Sequence, residues 1–130
     1  MARPASKHPT ELELAILKIL WDKKSATVRQ VRDELAAKRD LAYTTVMTMM
    51  NIMANKKYLK RTKKSGGYLY RPTINEADTS RKMLADLVRR VFDGSSVAAM
   101  VNLLETTNIS LEELTHLRQL IESKSKGADQ

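Results

Sequence analysis

The 130-residue chain contains no cysteine, which excludes disulfides, thiolate zinc sites and cysteine nucleophiles. Aromatic side chains make up only 5% of it, few for the stacking platforms typical of single-strand nucleic-acid readers. No uninterrupted apolar run reaches the roughly 18 residues of a membrane-spanning helix, so no membrane insertion is expected. The first 20 residues are charged and lack the apolar stretch of a secretory signal, and the expectation is a soluble cytoplasmic protein. Paired catalytic carboxylates, a phosphate-cradling glycine loop and a nucleophile–base pair are also missing. The sequence therefore points to no enzyme and no cofactor.

What the chain does have is positive charge, unevenly placed. Residues 1–72 carry 16 Lys/Arg against 6 Asp/Glu, a net +10, whereas residues 73–130 carry 7 against 9, a net −2. A basic half beside a near-neutral half suggests that one end meets a polyanion, with a merely solvated basic surface as the plainer alternative. Two halves this small each bury little of their surface, which makes oligomerisation an attractive source of stability.

Hydrophobic spacing divides the chain further. Residues 1–9, with Arg3, Pro4, Lys7, His8 and Pro9, show no period and read as a flexible arm. Thr10 and Glu13 form a capping box ahead of a stripe of Leu12, Ala15, Ile16, Ile19 and Leu20. Thr27 and Gln30 open a second helix bearing Val28, Val31 and Leu35. A third runs from about Ala42 to Lys56, with Val46, Met49, Met50 and Met53 at the spacing of a buried stripe. After Lys57 the period changes: Tyr58–Lys64 and Tyr68–Arg71 read as strands around Ser65-Gly66-Gly67, and Pro72 stops the second. From Asn75 only helices follow, the last opened by Ser110 and Glu113. The fold class is thus mostly α with a small β-hairpin: a winged helix-turn-helix over 10–73, a helical dimerisation region over 74–124 and a frayed tail over 125–130.

In helix-turn-helix docking the second helix of the motif enters the DNA major groove, and here that is the third helix of the chain. Opposite its methionines it carries Thr44, Thr48, Asn51 and Asn55, with Thr45 alongside. Threonine and asparagine are poor helix formers, so an ordinary solvent face would favour Lys, Glu or Gln instead. As base-facing residues they make sense, since threonine offers a hydroxyl and a methyl and asparagine can pair bidentately with adenine. Around them lie Arg29, Lys56, Lys57, Lys60, Arg61, Lys63, Lys64 and Arg71. Of these, Arg29, Lys56, Lys60, Lys63, Lys64 and Arg71, with Tyr43, are the candidate phosphate contacts, which supply affinity but little sequence information. Tyr68 and Tyr70 share one strand face and read as core.

These residues carry a resemblance. Ser25-Ala-Thr-Val-Arg-Gln-Val31 followed by Ala42-Tyr-Thr-Thr-Val-Met-Thr-Met-Met50 resembles the penicillinase-repressor family of bacterial transcription factors. Thr10-Glu-Leu-Glu13, Ile19-Leu-Trp21, Lys57-Tyr-Leu-Lys-Arg61 and Tyr68-Leu-Tyr-Arg-Pro72 fit the same pattern, over roughly residues 9–123. The resemblance implies a homodimeric repressor on a palindromic double-stranded DNA operator, its C-terminal helices interlocked across the two-fold axis. That agrees with the apolar stripes that lack a partner in one chain: Leu84, Leu87 and Val91; Val97, Met100, Val101 and Leu104; Leu111, Leu114, Leu117, Leu120 and Ile121. The resemblance also implies a sensor protease that leads to cleavage in these helices after an asparagine preceding phenylalanine, to which Asn102-Leu103 is the nearest match. Copper-responsive relatives use a C-terminal cysteine cluster, which this chain lacks.

Two further readings stay open: a winged-helix RNA- or ribosome-associated module, and a protein-interaction adaptor. Glu113 and His116 have the spacing of half a metal motif but no convergent ligands nearby, and read as a surface pair, so no metal site is assigned.

Overall fold

In a computed structural model, which describes residues 8–128, the chain forms α1 (Glu11–Lys23), α2 (Val28–Leu35), α3 (Tyr43–Asn55), β1 (Leu59–Lys64), β2 (Gly67–Pro72), α4 (Glu76–Val91), α5 (Ser96–Thr106) and α6 (Leu111–Ala128). Two compact units emerge, one ending at Asp86 and the other starting at Leu87. The division falls inside α4, not at 73/74 as the sequence suggested. The start of α4 is tied to the winged helix: the Trp21 indole N–H donates to the Ile74 carbonyl at 2.8 Å, and Thr79 is buried.

The first unit is a winged helix built on three local devices. The capping boxes of α1 and α2 both form, Thr10 with Glu13 and Thr27 with Gln30, each satisfying first-turn amides that the helix itself leaves orphaned. α3 ends in a Schellman motif, in which the Tyr58 and Lys57 amides donate to the Met53 and Ala54 carbonyls and Lys57 takes φ +69°. The hairpin then pairs β1 and β2 antiparallel, from Leu59 opposite Pro72 to Lys64 opposite Gly67. Its turn needs a left-handed residue, supplied by Gly66 at φ +84°. A backbone bridge from Ala26 to Tyr70 (3.0 and 2.9 Å) fastens the α1–α2 loop to the wing, so the hairpin is not left to stand alone.

The core is a single cluster of Ile16, Leu17 and Leu20 from α1, Ala26, Val28, Val31 and Leu35 around α2, Val46, Met50 and Met53 from α3, and Leu59 and Tyr70 from the wing. Met49 is only partly buried at its edge. Tyr68, expected in the core beside Tyr70, is exposed, because it lies one step nearer the wing tip and beyond the reach of the helices.

One polar group is sealed beneath this core. Glu13, 1% exposed, accepts from the Thr10 amide at 2.8 Å and from Lys56 Nζ at 3.0 and 3.2 Å. Lys56 also lies 5.8 Å from the centre of the Tyr58 ring. Burial, with the Glu13 carboxylate close by, pushes the Tyr58 hydroxyl above the ordinary tyrosine pKa, and Lys56 opposes that shift.

In the second unit Ser95 caps α5, and Ser110 and Glu113 form the third capping box at α6. Ala99 is its only buried residue among those described. The ends of the chain also correct the sequence reading. Residues 1–7 of the expected arm lie outside the described residues, but Pro9 is buried and His8 Nε2 lies 2.8 Å from Asp86 Oδ2, so the arm is anchored at its end. Residues 125–128 continue α6 instead of fraying, while 129–130 lie outside the description. Glu122 and Lys126 have the favourable i, i+4 order, and the lysine suits the helix C-terminus.

The Glu13–Lys56 pair gives a direct test. Lys56→Met strands a carboxylate in the interior and should lower stability by about 2–3 kcal/mol, below the full buried-pair figure because Lys56 keeps 29% exposure. Urea melts should show an earlier midpoint at unchanged slope, and adding Glu13→Gln should recover most of the loss. A Lys56→Met midpoint equal to the parent's would show the pair to be energetically idle.

Candidate nucleic-acid interface

α3 is the only one of the six described helices that begins without a side chain accepting from its first-turn amides; its N-cap is Ala42. The positive end of its dipole and its free amides thus face out of the fold beside Tyr43, which is itself exposed. With Val46, Met50 and Met53 seated in the core, the 100° step of the helix turns Thr44, Thr48 and Asn55 to the opposite side, and all three are exposed, as is Thr45. At 1.5 Å per residue this polar face runs about 16 Å along the axis. Ile52, also exposed, lies one turn beyond Thr48 and adds an apolar patch that the sequence reading did not single out.

Asn51 is half-buried and leans towards the wing. Its Oδ1 accepts from the Tyr70 hydroxyl at 2.8 Å and from Arg61 Nη1 at 3.0 Å, and the Arg61 guanidinium sits 4.7 Å above the centre of the Tyr68 ring. A groove therefore opens between α3, the start of α2 and the wing, lined by Thr27, Arg29, Tyr43, Met47, Asn51, Arg61 and Tyr68, with Lys64 and the glycine turn at its far end. Arg61 stood in the basic set but not among the candidate contacts. Strand alternation places it on the face of Tyr68 and Tyr70, the one signal that could have found it.

Among the described residues, Arg29, Lys60, Lys63, Lys64 and Arg71 are all exposed and none is in an ion pair. Lys60 and Arg71 stand directly opposite each other across the hairpin. Like charges in that position destabilise a sheet, an arrangement that suits a surface covered by anions. Lys56 leaves the phosphate set: its ammonium is turned inward to neutralise buried Glu13.

The candidate dimerisation residues are apolar side chains left open on α4, α5 and α6. Leu84, Leu87, Val91, Val97, Met100, Val101, Leu104, Leu111, Leu114, Leu117, Leu120 and Ile121 are all exposed in the single chain, Leu111 to 81%. Asn102 and Leu103 lie within α5, where the Asn102 carbonyl accepts from the Thr106 hydroxyl at 2.7 Å and the Leu103 carbonyl from the Thr107 amide at 3.1 Å. Glu113 and His116 are gathered with no third ligand, and no group of three or more potential metal ligands occurs among the described residues. No helix among the described residues is long and apolar enough to cross a membrane.

Comparison with known proteins shows what the sequence is similar to. The family model for the penicillinase repressor matches residues 9–123. The transcriptional regulator BlaI of Mycobacterium tuberculosis is 32% identical over 119 residues, covering 90% of this chain and 85% of that protein. The penicillinase repressor of Bacillus licheniformis is 26% identical over 113 residues, covering 87% and 88%. The methicillin resistance regulatory protein MecI of Staphylococcus aureus is 23% identical over 112 residues, covering 86% and 91%. The solution structure of the DNA binding domain of the repressor BlaI matches 54% of this chain and 85% of its own, at 27% identity and a TM-score of 0.49. A family match spanning residues 9–123, together with a relative 32% identical over 90% of the sequence, shows that this chain belongs to the penicillinase repressor family.

Proposed function

We propose that the chain is a transcriptional repressor that binds an inverted-repeat operator in duplex DNA as a homodimer, each copy reading one half-site through α3. One observation carries the reading: α3 has its apolar side in the core and an exposed row of Thr44, Thr48 and Asn55, with Thr45 beside it, amid unpaired cations. Short polar side chains let a helix lie deep in a major groove, and exposed Ile52 suits a thymine methyl. Tyr43, Arg29, Lys60, Lys63, Lys64 and Arg71 hold the flanking phosphates, with the uncapped start of α3 adding its dipole.

Dimerisation follows from the poverty of the second unit. A segment that buries little more than Ala99 gains almost nothing from hydrophobic burial on its own, and its exposed leucines need a complementary surface. A second copy supplies the same stripes in an isologous arrangement and presents two reading helices to a palindrome. Separating the copies relieves repression, because a single half-site contact is far weaker than two linked ones. A cut between Asn102 and Leu103, by the sensor protease that the family resemblance implies, would sever α6 from the DNA-reading unit. It would first require a turn of α5 to unwind. The site of action on this reading is the bacterial cytoplasm.

Three measurements test the proposal. Thr48→Ala should weaken binding to a selected operator by ~1–3 kcal/mol while leaving random duplex almost unaffected. Equal losses on both would remove Thr48 from base reading. Lys64→Ala should weaken both and reduce the slope of log affinity against log salt by about one; an unaltered slope excludes a phosphate contact there. Finally, Met100→Glu combined with Leu120→Glu changes side chains already exposed in the single chain, so the winged helix should remain folded. Sedimentation equilibrium should show a dimer for the parent and a monomer for the variant, and a monomeric parent would refute the assembly.

A further inference from the structure

Bidentate pairing with adenine requires Asn51 to accept from the N6 amino group while donating to N7. The acceptor is already spent. Oδ1 takes one hydrogen bond from Arg61 Nη1 at 3.0 Å and another from the Tyr70 hydroxyl at 2.8 Å, which fills both its lone pairs. The donor character of its partners decides which end of the amide faces inward. A guanidinium has only N–H donors, so the inverted amide would set donor against donor. Tyr70 alone could not fix this choice, because a hydroxyl both donates and accepts. Arg61 is held in turn by the hairpin: it pairs across the ladder with Tyr70, and its guanidinium stacks on Tyr68, the diagonal neighbour.

We propose that Arg61 is a specificity-positioning residue: it locks Asn51 as a pure hydrogen-bond donor, so that α3 selects a base edge rich in acceptors, guanine above all, in place of adenine. This rests on the reading of α3 as the operator-contacting helix. Guanine offers N7 and O6 side by side, and thymine offers O4. Adenine offers N7, but its amino group finds no acceptor on the locked amide, and cytosine offers only a donor. Arg61 need not touch the base to set this preference.

Selection from randomised duplex pools with the full-length protein tests it. The parent should select guanine at one position of each half-site, and Asn51→Ala should erase that preference, which identifies the position. Arg61→Met frees the amide to turn over and should shift the adenine-to-guanine ratio there by on the order of tenfold, with the other positions unchanged. Arg61→Lys keeps a donor-only partner and should retain guanine. An Arg61→Met protein that still selects guanine, or that loses affinity evenly across sequences with a smaller salt slope, overturns the lock and makes Arg61 a phosphate contact. A parent that selects no sequence at all overturns the DNA-reading role itself, a result distinct from a selective parent whose preference Arg61→Met leaves unmoved.

Discussion

The structure depends on one constraint: α3 must satisfy two environments with thirteen residues. Val46, Met50 and Met53 are fixed in the core by contact with α1, α2 and the wing, and that fixes the rotation of the helix about its axis. Thr44, Thr48 and Asn55 then have no freedom to be anywhere but outside. Unbranched methionine is well suited to the inner side, since it fills irregular gaps where two helices and a hairpin converge. The rest of the first unit defends this rotation. The Schellman end of α3 launches β1 in a set direction, and the Ala26–Tyr70 bridge closes the wing back onto the α1–α2 loop.

Features encoded within a few residues of each other were legible in the sequence. All three capping boxes form, because each needs only a hydroxyl and a carboxylate or amide three positions apart. The hairpin came from a change of period and from glycines that tolerate positive φ. Distant partnerships were not legible. Glu13 and Lys56 are 43 residues apart, so a cation that looked available for phosphate is in fact the counter-ion of a buried cap residue. A clue existed: Lys56 follows Met49 and Met53 at spacings of seven and three, on the inward side of α3. Asn51 is a similar case, since its partners arrive from 10 and 19 residues away through the strand register. The division inside α4 is equally hidden in the sequence, because only the folded chain shows Trp21 holding Ile74.

The second unit separates pattern from partner. Period 3.6 alone put every stripe residue on a helix face, and all twelve candidate residues do lie exposed in the single chain. Periodicity says that a face will be covered without saying by what, and the argument for a second copy comes from arithmetic of burial: one buried alanine cannot hold two helices together. The end of α6 is a separate case. A polar run at a chain end resembles fraying, yet residues 122–126 hold neither proline nor glycine, and α6 continues through them.

On the proposed reading, affinity and selectivity occupy different elements and meet at one residue. Lys60, Lys63, Lys64 and Arg71 on the wing act through charge, which is insensitive to sequence and screened by salt. The threonines of α3 act through directed contacts. Arg61 belongs to the wing by position but acts on α3 through Asn51, and Tyr70 is at once core residue, bridge partner of Ala26 and second donor to the same oxygen. The hairpin register therefore sets the polarity of a reading amide. A slip of one residue would carry Arg61 to the opposite face of the ladder, since side chains alternate with a period of two. The buried Tyr70 and the Ala26 bridge forbid that slip, so the stability of the wing and the selectivity of the helix rest on the same contacts.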